Sequence, residues 1–227
     1  MNRLIFLLAS AVALLSAPAS AQQIPSSYSY IENSQAFGVY WGHLATATGQ
    51  FDLGPDPGGL LGARYSVEVG GPVFLDGLFS MLSTSRDIID PRREEGDRSL
   101  GQADVRLFSF DARLAFSLTG RRTWRGFSPY LFAGGGIAFD GAKRDDLDQL
   151  LLPEDRFDFG TTFTASMGSG LRYQLTQKLM LRGDADLKLW KLSTPTGFDA
   201  SEKGLERVSE SEWVGGWALT IGASWRF

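Results

Sequence analysis

The stretch WALTIGASWRF, residues 217–227, decides the fold. Trp217, Leu219, Ile221, Ala223, Trp225 and Phe227 occupy alternate positions, and Thr220, Gly222, Ser224 and Arg226 fill the gaps. A period of two puts successive side chains on opposite faces of an extended chain, so this is a strand with one apolar and one polar face. Trp213 starts it. The same alternation recurs in AFGVYWGHL (36–44), LLGARYSVEV (60–69), VFLDGLFSML (73–82), LFSFDARLAFSL (107–118), YLFAGGGIAF (130–139), FGTTFTASMGSGLRY (159–173) and LMLRGDADLKLW (179–190). About eight strands are therefore expected.

The connections alternate in length. Residues 45–59, 84–102, 140–156 and 193–210 are long and polar, 70–72 and 176–178 are tight turns, and 120–128 is intermediate. Long, short, long, short describes an antiparallel meander whose long loops gather at one end. Nothing in the composition marks a linker or a second domain.

The chain opens on MNRLIFLLASAVALLSAPASAQQ. Arg3 supplies a positive start, Leu4 to Leu15 an apolar run, and Ala19-Ser20-Ala21 a small-residue cleavage site, so residues 1–21 read as a secretory signal peptide. The apolar run is short for a spanning helix of about 20 residues. The expected division is a signal peptide over 1–21, a short periplasmic segment over 22–34 and a barrel over 35–227. No later segment holds about 18 consecutive apolar residues. The chain has no cysteine, so no disulfide staples it, and its net charge of −4 carries no basic bias toward nucleic acid.

Alternation alone is symmetric: a soluble barrel turns its apolar face in, a membrane barrel turns it out. The polar faces here are Gly, Ser, Thr and Ala beside Arg, Asp, Glu and Lys. A lumen of about eight strands has room for little more. Trp41, Tyr130, Tyr173, Trp213 and Trp225 stand near strand ends, where rings suit the two membrane–water interfaces. A hydrocarbon layer leaves backbone groups without water, so a chain lacking apolar helices crosses it only as a closed barrel. The expected fold is all-β, an antiparallel up-and-down transmembrane β-barrel of about eight strands.

The chain resembles the small OmpA/OmpX-type outer-membrane β-barrel proteins of Gram-negative bacteria. TIGASWRF, with Thr220, Gly222, Trp225 and Phe227, is similar to the family's C-terminal β-signal; PYLFAGGGIAF and GLRYQLTQKLMLRGD resemble its strand and turn phrases. The resemblance covers the chain beyond the signal peptide. It implies residence in the outer membrane, periplasmic termini and four extracellular loops. It also implies contact with lipids and lipopolysaccharide, and reading of the last strand by the assembly machinery. No C-terminal peptidoglycan-binding domain is expected after that strand. A monomer without cofactor or metal is the expected form.

Strand parity points Arg64, Glu68, Asp76, Asp111, Arg113, Arg172, Arg182, Asp184, Asp186, Lys188 and Arg226 into the lumen. Their signs nearly balance. Confined charges are costly unless paired, so a network that fills the barrel is expected, with a minor pore for small solutes as the alternative. His43, the one histidine, sits at the outer end of the first strand, with Ser83, Ser85 and Asp87 at the outer end of the third. A His–Ser–acid set could modify lipid A, but the spacing matches no such motif, and a non-catalytic structural or surface-interaction role is the main reading. GGGIAFDG misses the phosphate-loop spacing; its glycines fit a lumen too narrow for aromatic bulk. DDLDQLLLPED lacks the order of a calcium loop and reads as a solvated loop with one helical turn. In PRREEGDRS, Arg92, Arg93 and Arg98 are candidates for lipopolysaccharide phosphates.

Overall fold

The structure, a computed structural model, describes residues 26–31, 35–94, 96–141, 145–198 and 208–227. The expected signal peptide lies outside the described residues. Among the described residues ten strands form: β1 (Tyr28–Tyr30), β2 (Gln35–Thr46), β3 (Gly58–Gly70), β4 (Val73–Ile89), β5 (Ser99–Ser117), β6 (Arg122–Trp124), β7 (Phe127–Asp140), β8 (Thr161–Gln174), β9 (Leu179–Ser193) and β10 (Ser211–Arg226). Eight of them, β2–β5 and β7–β10, pair antiparallel with their neighbours, and β10 closes on β2 with Trp225 opposite Phe37 and Gly216 opposite Thr46. Closure leaves none of these eight strands with an unpaired edge. No described helix is long and apolar enough to cross a membrane, which says nothing against crossing by strands.

β1 and β6 stand apart from the barrel wall. Tyr28 pairs with Trp124 and Tyr30 with Arg122, so the chain ahead of β2 is tied to the turn between β5 and β7. Arg121 of that turn reaches Glu68 at the end of β3 with its Nε (2.6 Å) and the Tyr30 hydroxyl at 3.3 Å. Thr123 is buried beneath.

Over the middle of each strand the expected parity holds. Phe37, Val39 and Trp41, Leu61 and Tyr65, Leu75 and Phe79, Phe110 and Leu114, Leu131 and Ile137, Phe163 and Met167, and Trp217, Leu219, Ile221 and Trp225 are exposed on the outer face. Toward the long-loop end the pattern inverts. Ser83, Asp104, Arg106, Thr161 and Lys191 now point outward, while Leu44, Leu82, Val105, Leu107, Trp190, Leu192 and Val214 point inward and are buried. An apolar outside suits hydrocarbon and an apolar inside suits water. The inversion marks where the wall leaves the apolar belt.

This inversion also corrects the expected loop over 84–102. β4 runs to Ile89 and β5 starts at Ser99, so only 90–98 connects them. The sequence there looks polar because Ser85, Asp87 and Gln102 face out and few large apolar residues, such as Ile88, face in.

Candidate functional site

Two sets of side chains cross the lumen. Near the short-turn end, Asp184 on β9 receives Arg64 of β3 and the hydroxyl of Tyr130, and Asp76 of β4 receives Arg182. Arg182 also donates to Tyr130 Oη at 2.5 Å and to Ser66 at 3.3 Å. Arg182 and Arg172 stack over the Tyr130 ring at 4.5 Å, and Arg172 also over Phe74 at 4.3 Å. Further along, Lys188 reaches Asp111 at 2.9 Å, and Asp111 accepts from Thr164 at 2.6 Å and Ser109 at 3.1 Å. Arg113 pairs with Asp186 at 2.5 Å and lies over Phe132. In a low-dielectric interior such pairs hold only when well bonded.

Period two puts these groups in the lumen; glycine makes the space. Tyr40 faces Gly62, Tyr130 faces Gly170 and Phe132 faces Gly168 directly across their strand pairs. A Cβ on Gly170 would run into the Tyr130 ring, and one on Gly62 into Tyr40. Each inward ring thus lies over a neighbour with no side chain. The narrow lumen does take aromatic bulk, contrary to expectation: Tyr40, Tyr130 and Phe132 each lie against a glycine, and Phe74 lies between Glu68 and Ala115.

Above the network an apolar core fills the barrel's long-loop end. Leu44, Leu60, Leu82, Leu107, Trp190 and Val214 of the wall enclose Leu53, Phe157 and Phe198 from three loops. Polar contacts lock the loops to one another and to the wall. Arg86 chelates Asp148 with bonds of 2.7 and 2.6 Å. Arg92 bonds Asp155 at 2.6 Å and Glu154 at 2.7 Å, and Ser85 bonds Asp56 at 2.7 Å. Hydrogen bonding to Asp155 raises the Arg92 pKa further above its ordinary value. The short helix 147–150 packs Leu147 and Leu151 against Ile88 and Ala103. A cleft of about 530 Å³ opens beside it, lined by Arg86, Asp104, Asp148, Arg156 and Phe157 among others.

A closed eight-stranded wall with an apolar outside, a charged inside and long loops at one end is the architecture of an outer-membrane barrel. Residues 7–227 match the family model described as the outer membrane protein beta-barrel domain. The chain belongs to this family. It is an outer-membrane protein. Among solved structures, Neisserial surface protein A (NspA) is similar in fold, with 13% identity, 89% of this chain and 98% of that one covered, and a TM-score of 0.50. The β-barrel domain of Pseudomonas aeruginosa OprF gives 15% identity, 86% and 100% coverage, and a TM-score of 0.46. Ail of Yersinia pestis, solved with the heparin analogue sucrose octasulfate, gives 18%, 87% and 100%, and 0.39. No curated protein matches the sequence at a significant level.

Within this family barrel, Arg64, Asp76, Asp111, Arg113, Arg172, Arg182, Asp184, Asp186, Lys188 and Arg226 are all buried, and Glu68 is half-buried under Arg121. Trp41, Tyr173, Trp213, Trp225 and Phe227 are exposed on the outer face, as are Phe37 and Tyr65 near them. Tyr130 is a correction. It was expected as an interfacial ring, yet it is 1% exposed and central to the network, because Gly170 opposite leaves the room. Tyr40 and Phe132 were missed for the same reason; an aromatic opposite a glycine is the signal that would have found them, whereas Phe74, between Glu68 and Ala115, carries no such signal. Thr220 and Gly222 occupy β10 as expected, Gly222 beside Tyr40.

His43 and Ser83 both point outward, on either side of Gly59. Asp87 lies four residues further along β4, roughly 13 Å away at strand spacing. Among the described residues no hydrogen bond joins His43 to either, so this geometry does not assemble the His–Ser–acid set. Among the described residues no group of His, Cys, Asp or Glu could hold a metal ion. The acidic run keeps its helical turn, but Asp148 and Asp155 are buried partners of arginines rather than solvated. Arg92 bonds Asp155 and Glu154 in the loop cap, with its side chain 41% exposed.

Proposed function

We propose that this is a non-catalytic surface barrel that holds a rigid loop cap outside the cell, with a lumen filled by its own side chains. The observation that carries the reading is the interlocked cap: three loops share one apolar core, and Arg86–Asp148 and Arg92–Asp155 tie one of them to the wall and to the fourth loop. Loops fixed in this way present a preformed surface, and preformed surfaces lose little entropy on binding. The four long loops face outward and both termini face the periplasm. The closed wall supports a monomer.

The partners fitted by the outer face are membrane lipids along the apolar belt and lipopolysaccharide phosphates above it. Arg106 and Lys191 point outward at the level where the belt ends, and they suit phosphate oxygens. Titrating the purified barrel with lipopolysaccharide tests this contact. Arg106→Ser with Lys191→Ser should weaken binding while the barrel stays folded; unchanged affinity removes the assignment. Planar-bilayer recording tests the filled lumen. Wild type should give no stable steps, and reproducible conductance would favour a minor pore instead.

A further inference from the structure

The two charged sets of the lumen differ in balance. In the set toward the loops, Arg113 and Lys188 meet Asp186 and Asp111 one for one. In the set toward the short turns, Arg64 and Arg182 take Asp184 and Asp76, and among the described residues Arg172 makes no salt bridge, the nearby Asp76 being bonded by Arg182. Arg172 is 4% exposed, and its Nε and one terminal nitrogen have no hydrogen-bond partner. Phe74 and Tyr130 cover the faces of its guanidinium, but the N–H donors of that group lie in its plane, where stacking cannot satisfy them. Arg64 and Arg113 also leave a buried Nε unbonded, yet each already holds a carboxylate.

A small void beside Arg172 is lined by Gln35, Ser66, Phe74, Glu68, Met180 and Arg226, among others. Arg226 is buried as well, and its donors reach the Gln177 carbonyl and the Gln174 amide oxygen at 3.1 and 3.0 Å, both neutral. Glu68 is the one acid on the lining, and Arg121 of the β5–β7 turn bonds it from outside. The void thus holds two buried guanidinium groups with their own carboxylates missing or engaged elsewhere. Its volume of about 10 Å³ corresponds to roughly one small sphere. Phosphate and organic acids are too large for it.

We infer that the periplasmic mouth of the barrel contains a binding site for one small monovalent inorganic anion, of the halide class, held between Arg172 and Arg226. The anion supplies the charge that the inner set lacks and accepts the in-plane donors of Arg172. The site is separate from the loop cap and from the lipopolysaccharide contact, and it stands whether or not those are correct.

The test uses the folded protein in detergent micelles and in crystals. Thermal unfolding is followed in sodium gluconate with chloride or bromide added at constant ionic strength. A saturable, one-site rise in midpoint is expected, roughly 3–6 °C at ten times the dissociation constant. Arg172→Met should abolish that rise, and Arg226→Gln should shift its midpoint concentration upward. The double variant Lys188→Met, Asp111→Asn, in the balanced set, should keep it. Crystals grown in bromide should show one anomalous peak beside Arg172. A midpoint insensitive to halide, a rise that survives Arg172→Met, or an ordered water with no bromide at Arg172 would each overturn the site. If Arg172→Met fails to fold, the bromide map of wild type decides alone.

Discussion

Asp184→Ala is the sharpest test of the lumen network. Its carboxylate takes Arg64 and Tyr130, and Arg182 Nε stands 3.6 Å away. All are buried, with 5% of the Arg64 side chain and 3% of the Asp184 side chain exposed. The substitution strands Arg64 without a carboxylate, while Arg182 keeps Asp76. Removing one partner of a buried pair costs about 3–5 kcal/mol, most of it from the charge left behind. Arg64→Met costs less, about 1.5–3 kcal/mol, because Asp184 keeps Tyr130 and Arg182. The double variant removes both charges, so the two losses should fall short of adding, by about 1–3 kcal/mol. Urea unfolding from lipid vesicles measures each value through tryptophan emission. Trp41, Trp213, Trp217 and Trp225 face the belt, so the emission reports departure from lipid. A loss below about 1 kcal/mol for Asp184→Ala, or additivity within about 0.5 kcal/mol, would refute the reasoning.

The other predictions address the packing, the belt, assembly and the cap. Gly170→Leu should prevent folding of the purified chain into vesicles, and Tyr130→Ala should restore it; failure of the rescue would mean the two do not share the space. Ala112→Arg, in the middle of the β5 outer face, should cost about 2–4 kcal/mol in vesicles, whereas Asp104→Arg, above the inversion, should cost about 0–1 kcal/mol. Deleting Phe227 should lower the amount of barrel inserted in cells several-fold while leaving refolding into vesicles near wild type. Asp148→Ala leaves Arg86 without its carboxylate, so trypsin should cut after Arg156 several-fold faster on intact cells, with barrel stability little changed.

Most of the fold was legible because a barrel wall repeats one simple rule. The alternation in LFSFDARLAFSL assigns every lumen charge of β5 without any knowledge of the neighbours. Assembly of those charges into pairs was not legible, since Arg64 and Asp184 are 120 residues apart and meet only when closure sets the register. Tyr130 shows the limit most directly. Its parity was inward and its chemistry was interfacial, and only Gly170 on β8 settles which prevails. The segments 84–89 and 99–102 read as loop because composition alone cannot distinguish a polar loop from a strand whose outside is wet.

The sequence by itself determined the eight wall strands, their faces and their order, because period two is a property of each segment alone; β1 and β6, of three residues each, are too short to show it. It also determined that a chain with this pattern and no spanning helix must close its strands to lie in hydrocarbon. The tertiary structure decided where the apolar face turns from outside to inside, because that depends on how far each strand rises above the belt. It decided the pairing of charges as well. Signs that nearly balance along the chain are balanced in one set and short of a carboxylate in the other, since a salt bridge depends on distance across the barrel and not on composition.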